Sequence, residues 1–223
     1  MGTKVEFDSK AGKASGEISL PSADKAGAVV IFHEWWGLND HMRSIAERFA
    51  AAGFVALALD SFDGKTTRDP AEAAQLMGNL DFGKAITQAA GAVEFLKAHP
   101  RSNGKVGITG FCLGGGLTLA AACNIEGLSA AVAFYGMPDA SKVDYGKVSA
   151  PILGHFAARD EYVKPANVTA LRDKLKELGK DARLEMYEAD HAFVNDTRPE
   201  VYSPENAKLA WDRSLAFLHQ QLD

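Results

Sequence analysis

Strand-sized apolar runs alternate with helical segments along almost the whole chain, and that alternation constrains the fold more than any other feature. AGAVVIFHE (26–34) and FVALALD (54–60) lack polar alternation and suit strands buried on both faces. KVGITGF (105–111), SAAVAFYG (129–136), APILGHFAARD (150–160) and ARLEMYE (182–188) read as further strands. Between them, DHMRSIAERFAAAG (40–53) places Ile45, Phe49 and Ala52 at helical spacing, with Gly53 as a stop. The pattern over 69–99 is helical with interruptions near Gly78 and Gly83, and a small-residue helix runs from Gly114 to about Asn124. VTALRDKLKELG (168–179) carries Leu171, Leu175 and Leu178 on one side, and SPENAKLAWDRSLAFLHQQL (203–222) forms the last helix. Right-handed crossovers then predict a mostly parallel sheet covered by helices on both faces. VEF (5–7) and SGEISL (15–20), joined by a turn signal, add antiparallel strands at one edge. No linker, repeat or low-complexity tract interrupts the pattern, so one domain is expected over residues 1–223.

The 223 residues and 47% hydrophobic content allow a full core and argue against disorder. A net charge of −5 without a basic stripe disfavours a nucleic-acid partner. The longest apolar runs are strand-sized, so no membrane span is expected, and the polar opening residues lack the apolar centre of a signal peptide. Glu6 stands where a myristoylation signal wants Ser or Thr. The two cysteines, Cys112 and Cys123, form neither a CxxC pair nor a metal-ligand cluster, so no metal and no cofactor is expected. Together these features predict a cytoplasmic protein, a monomer or small homo-oligomer.

Chemistry concentrates in GFCLGGG (110–116), where a cysteine occupies the centre of a G-x-nucleophile-x-G turn between strand and helix. Such a turn exposes the side chain at the top of the sheet and aims the next backbone N–H at a developing oxyanion. A helix N-terminus also favours thiolate. The competing reading is a small buried cysteine in a glycine-rich bend. Acid and base candidates follow in the order nucleophile, acid, histidine. Asp160 ends the strand before DEYVKP, and His191 follows the last strand in YEADHAFVND. Cys112, Asp160 and His191 thus all end strands on one rim, where open α/β sheets carry their sites. Glu161 could replace Asp160. Asp190 reads as a turn residue and His155 as a core histidine. His41, His99 and His219 are expected to face solvent, and His33 could line the cleft.

HEWWGLN (33–39) leaves a buried strand at the same rim. Glu34 would point into the cleft near Cys112, as a carboxylate with proton affinity raised by burial. Trp35 would offer its backbone N–H, and Trp36 either lines the cleft or packs the loop.

The combination of HEWWGLN, GFCLGGG, AVAFYG, the Asp160 turn and DHAF resembles the dienelactone hydrolase family, a branch of the α/β-hydrolases, over nearly the whole chain. The resemblance implies an α/β-hydrolase fold and a Cys112–His191–Asp160 triad acting on a small ester or lactone. It implies that Glu34 takes up the Cys112 proton when substrate displaces it. It also implies an oxyanion hole of the Trp35 and Leu113 N–H groups, and a pocket containing Trp36, Tyr135, Phe193 and Asn195. Family members that cleave dienelactones hold the substrate carboxylate with two arginines. One lies four residues after the histidine, where this chain has Asn195; the other lies in a helical region that here reads DPAEAAQLM. Arg68 and Arg198 lie close by but out of register. Mechanism therefore carries over better than substrate, and a neutral ester or lactone with an apolar part fits Trp35 and Trp36. The alternatives are a general carboxylesterase or thioesterase, or a non-catalytic ligand-binding or redox-sensing protein whose Cys112 is oxidisable.

Overall fold

The opening turn signal closes a hairpin of β1 (Thr3–Ser9) and β2 (Gly12–Ser19), both longer than the sequence patterns suggest. Its tip is held by Ser9, whose hydroxyl donates to the Gly12 carbonyl at 2.6 Å. Six further strands follow: β3 (Ala26–Phe32), β4 (Val55–Leu59), β5 (Ser102–Phe111), β6 (Ala130–Phe134), β7 (Ile152–Ala157) and β8 (Ala182–Tyr187). The computed structural model describes residues 2–223 and arranges these strands in one sheet, in the order β1-β2-β4-β3-β5-β6-β7-β8. β1 and β2 pair antiparallel at one edge, β2 meets β4 antiparallel, and every other pairing is parallel.

Parallel strands covered on both faces must send alternate residues into two cores, and β3 does so. Ala28, Val30 and Phe32 join one cluster with α3 (Phe82–Ala98), α4 (Leu113–Asn124) and α5 (Pro165–Glu177). Val29 and Ile31 join the other, with α1 (Asp40–Ala51) and α6 (Pro204–Leu222). α4 is buried at every position from Gly114 to Cys123. Its small side chains suit a helix enclosed on all sides.

The helix over 69–99 divides into α2 (Pro70–Gly78) and α3. Gly78 ends the first helix as expected. The second break falls at Asp81, which caps α3 by accepting from the Lys84 N–H at 2.9 Å, so Gly83 lies inside α3. Residues 140–142 and 145–147 form short 3-10 turns that apolar periodicity did not indicate. Among the described residues no helix is long and apolar enough to cross a membrane.

Candidate active site

Phe32 of β3 pairs with Gly110 of β5, so Glu34 and Cys112 leave neighbouring strands level with each other. Cys112 sits between β5 and α4 at φ 56° and ψ −115°, a conformation costly for any residue with a Cβ. Its N–H donates to the Phe134 carbonyl at 3.1 Å, and its own carbonyl accepts from Gly115 and Gly116 at 3.0 and 3.2 Å. Close approach explains the surrounding glycines. A Cβ on Gly114 would lie 2.5 Å from the Phe32 carbonyl oxygen, and one on Gly136 would lie 2.0 Å from that of Cys112. The backbone therefore holds the Cys112 side chain at the rim, half-buried.

Asp160, three residues beyond β7, is almost fully buried. Its Oδ1 accepts from the Tyr162 and Val163 N–H groups at 2.8 and 2.9 Å, leaving Oδ2 to accept from His191 Nδ1 at 2.7 Å. With Nδ1 engaged, Nε2 is the nitrogen left to interact with Cys112. Burial alone would weaken the His191 imidazolium. The hydrogen bonds to Asp160 and Cys112, with the charges of both, outweigh it and raise the pKa to about 9. Glu161 instead pairs with Lys164 at 2.6 Å in solvent, and Asp190 with Arg159 at 3.2 Å. Neither lies in this line.

Glu34 is buried, with its Oε2 accepting from Asn195 Nδ2 at 2.7 Å and its Oε1 from the Tyr135 hydroxyl at 3.4 Å. Both oxygens are thus engaged with neutral donors. Burial raises its pKa, against the opposing influence of His41, Asn195, His191 and Arg198. Tyr135 is itself buried, packs its ring against His191 with centroids 5.2 Å apart, and takes φ 36°. Ala192, next to His191, has φ 65°.

His33 does not line the cleft; it is a buried brace. Its Nε2 accepts from the Ser61 N–H at 3.1 Å, so Nδ1 carries the hydrogen and donates to the Glu34 carbonyl at 2.6 Å. The Gly37 N–H reaches the same carbonyl at 3.2 Å. In a trans peptide the N–H points opposite to the C=O. Anchoring the Glu34 carbonyl therefore turns the Trp35 N–H the other way. The Leu113 N–H stands in the first turn of α4, where a helix leaves its donors free.

Other expectations need correction. His41 is buried, with Nδ1 3.3 Å from Asp196 Oδ1. Its spacing from Ile45 and Phe49 puts it on the inward stripe of α1. Phe193 is fully buried against Tyr135 and Tyr187, behind the pocket it was expected to line. The Trp35 and Trp36 rings meet edge to face at 4.9 Å, both half-buried. Arg198 and Arg68, out of register in sequence, line one cavity of about 750 Å³ with Trp36, His41 and Asn195. His155 is a core histidine between Tyr187 and Ser214, at 2.8 and 2.9 Å. Cys123 is buried, and its pKa is pushed up to about 11 by that burial. Among the described residues, no three His, Cys, Asp or Glu side chains converge to hold a metal ion.

The chain is similar to known proteins along its whole length. "Protein usf" of Aquifex pyrophilus is 38% identical over the full length of both chains. A protein of Aquifex aeolicus named "Putative carboxymethylenebutenolidase" is 35% identical, again over all of both chains. A crystal structure from Klebsiella pneumoniae, described as a "Putative Dienelactone Hydrolase", superposes with a TM-score of 0.90 at 26% identity, covering 99% of this chain and 98% of the other. The family model for the dienelactone hydrolase family matches residues 15–222, and the chain belongs to that family, on an α/β-hydrolase fold.

Proposed function

We propose that the protein hydrolyses a small carboxylic ester or lactone through a thioester on Cys112. The observation that carries this reading is the line from Asp160 through His191 to Cys112. One imidazole nitrogen is fixed at 2.7 Å by a buried carboxylate, which leaves the other for the sulfur that a strained turn holds at the same rim. In the first half-reaction the Cys112 thiolate attacks the carbonyl carbon. The oxyanion forms facing the Trp35 and Leu113 N–H groups, and the C–O bond breaks as the leaving oxygen takes the His191 proton. In the second, neutral His191 removes a proton from water, whose oxygen attacks the thioester carbon. The acid departs, the sulfur leaves as thiolate, and the imidazolium is restored.

The electrostatics suit both halves. While Cys112 is free, its hydrogen bond and charge hold the proton on His191, so a general acid is present at neutral pH. Once the sulfur is acylated, those two contributions vanish and the imidazole can act as base. The test is a pre-steady-state burst with an activated ester, followed by mass spectrometry of the stopped protein. One acyl group on Cys112 per chain is expected, with no adduct and no turnover in Cys112→Ala; full activity of that variant would overturn the proposal.

For the substrate, the half-buried Trp35 and Trp36 rings favour an apolar acyl or alcohol part. A second reading has its own support: Arg198 lies over the Trp36 ring at 5.9 Å, and Arg68 lines the same cavity, so a substrate carboxylate could be met there. Matched lactones with and without a carboxylate separate the two. A carboxylate preference lost in Arg198→Gln supports the second reading, and equal KM for both substrates supports the first. Open-chain esters or thioesters turned over as fast as lactones would indicate a general esterase or thioesterase.

A further inference from the structure

The loop between β7 and α5 is pinned by its own acid. Asp160 Oδ1 accepts from the Tyr162 and Val163 N–H groups at 2.8 and 2.9 Å. Val163 then joins the core cluster that holds Val168 and Leu171. Tyr162 goes the other way. At 73% it is the most exposed large hydrophobic side chain among the described residues. Its ring nevertheless meets the His191 imidazole, with centroids 4.9 Å apart and planes at 59°. Tyr135 meets the same imidazole at 5.2 Å and 63°, but is fully buried. His191 thus stands between one ring in the core and one ring in the open. The Tyr162 hydroxyl makes no hydrogen bond among the described residues, and its neighbours Glu161 and Lys164 pair with each other at 2.6 Å. The bonds that shape this loop use backbone N–H groups, which any residue but proline would supply. The loop itself therefore does not call for an aromatic ring here.

We propose that Tyr162 is a specificity-determining residue whose exposed ring receives the alcohol part of the substrate and selects a flat, aromatic one. The proposal rests on the thioester reading, which fixes what passes this ring. When the C–O bond breaks, the leaving oxygen takes its proton from His191, so the carbon attached to that oxygen lies beside the imidazole. Of the two tyrosine rings against that imidazole, Tyr135 is enclosed, and Tyr162 alone offers open apolar surface. A ring tilted at 59° to the imidazole keeps its own face uncovered, where a second aromatic ring gains offset or edge contacts. An aliphatic ring of equal size would bury similar area without those contacts. Because the Tyr162 backbone is already fixed by Asp160, little ordering opposes binding there.

The test compares phenyl acetate with cyclohexyl acetate, which share an acyl group and differ in the flatness of the alcohol. Tyr162→Ala should lower kcat/KM for the phenyl ester by about tenfold and for the cyclohexyl ester by about twofold at most. Tyr162→Phe should leave both within about twofold, because the ring and not the hydroxyl is used. Equal losses on both esters, or no loss on either, would overturn the proposal; equal losses would show that Tyr162 acts only through the imidazole. A second measurement does without turnover. In whole protein carrying labelled tyrosine, with the Tyr162 NMR signal assigned from Tyr162→Phe, phenol should shift that signal at concentrations where cyclohexanol does not. Should Cys112→Ala prove fully active, the thioester reading falls, and this titration still decides the ring site. A Tyr162 signal that phenol leaves in place, or that both alcohols move alike, would overturn it.

Discussion

The proton on His191 should depend on the sulfur it faces. Its pKa of about 9, against the usual 6.5, amounts to about 3 kcal/mol in favour of the imidazolium. Burial works against that outcome, so the hydrogen bonds and charges of Asp160 and Cys112 must more than offset it. Cys112→Ala removes the hydrogen bond and charge of one partner while leaving Asp160 at 2.7 Å and the burial unchanged. The midpoint should then fall by at least about one unit, or about 1.4 kcal/mol. NMR of imidazole-labelled protein, with the His191 signal assigned from His191→Gln, measures this directly. Stability should follow. Because the folded pKa is raised, the imidazolium's contribution is fully present below about 6.5 and is lost as pH rises through about 9. The advantage of wild type over Cys112→Ala should therefore shrink across that window. A His191 midpoint that is the same in both proteins would show that the sulfur does not hold the proton. The switch from acid to base on acylation would then lose its physical basis.

Two further outcomes follow from hydrogen bonds in the site. Asp160→Asn keeps the turn, since its remaining oxygen can still accept from Tyr162 and Val163, but it loses the charge behind His191; kcat should fall by about 10³ to 10⁴ with KM little changed, as steady-state kinetics on an activated ester would show. His33→Leu frees the Glu34 carbonyl from its 2.6 Å anchor and lets the Trp35 N–H drift, so kcat should drop by about 10² while the Cys112 alkylation rate stays near wild type.

Much of this was legible because it depends on local pattern. Apolar runs too short for helices and lacking polar alternation had to be central strands; β4, β6 and β7 are buried along their lengths, and β3 from Gly27 onward. Cys112, Asp160 and His191 could be brought together because each ends a strand, and a parallel sheet puts all such ends on one rim. What escaped were contacts between loops. Asn195 and Glu34 are 161 residues apart, and no spacing rule connects them. Asn195 read as a missing arginine, yet it is the group that holds Glu34. Phe193 was misplaced because its neighbour His191 faces the site. Ala192, with φ 65°, turns the chain between them, and the Phe193 ring goes to the core. His41 was misread because a polar residue on a helix was taken for an outward one, although its spacing from Ile45 placed it inward.

Backbone conformation carries one more argument about why the site looks as it does. Among the described residues four non-glycine positions have positive φ: Asp63, Cys112, Tyr135 and Ala192. The last three stand on the rim where the parallel strands end. Such positions cost about 1–3 kcal/mol each and persist only where the surroundings enforce them. Here they are enforced: the Cys112 N–H is tied to Phe134 at 3.1 Å, and the Tyr135 N–H to His155 at 2.7 Å. A chain shaped by stability alone would place glycine at such points. This chain keeps a thiol and a phenol there, next to glycines 114, 115, 116 and 136, so the side chains themselves are what is retained. The claim can be separated from loss of the thiol. Cys112→Gly and Cys112→Ala are both inactive under the proposed mechanism, but only glycine accepts φ 56° without strain. Denaturant unfolding should find Cys112→Gly more stable than Cys112→Ala by about 1 kcal/mol, although in ordinary secondary structure glycine is the weaker residue. Equal stability, or an advantage for alanine, would mean that the turn stores no strain and that the cysteine sits there without conformational cost.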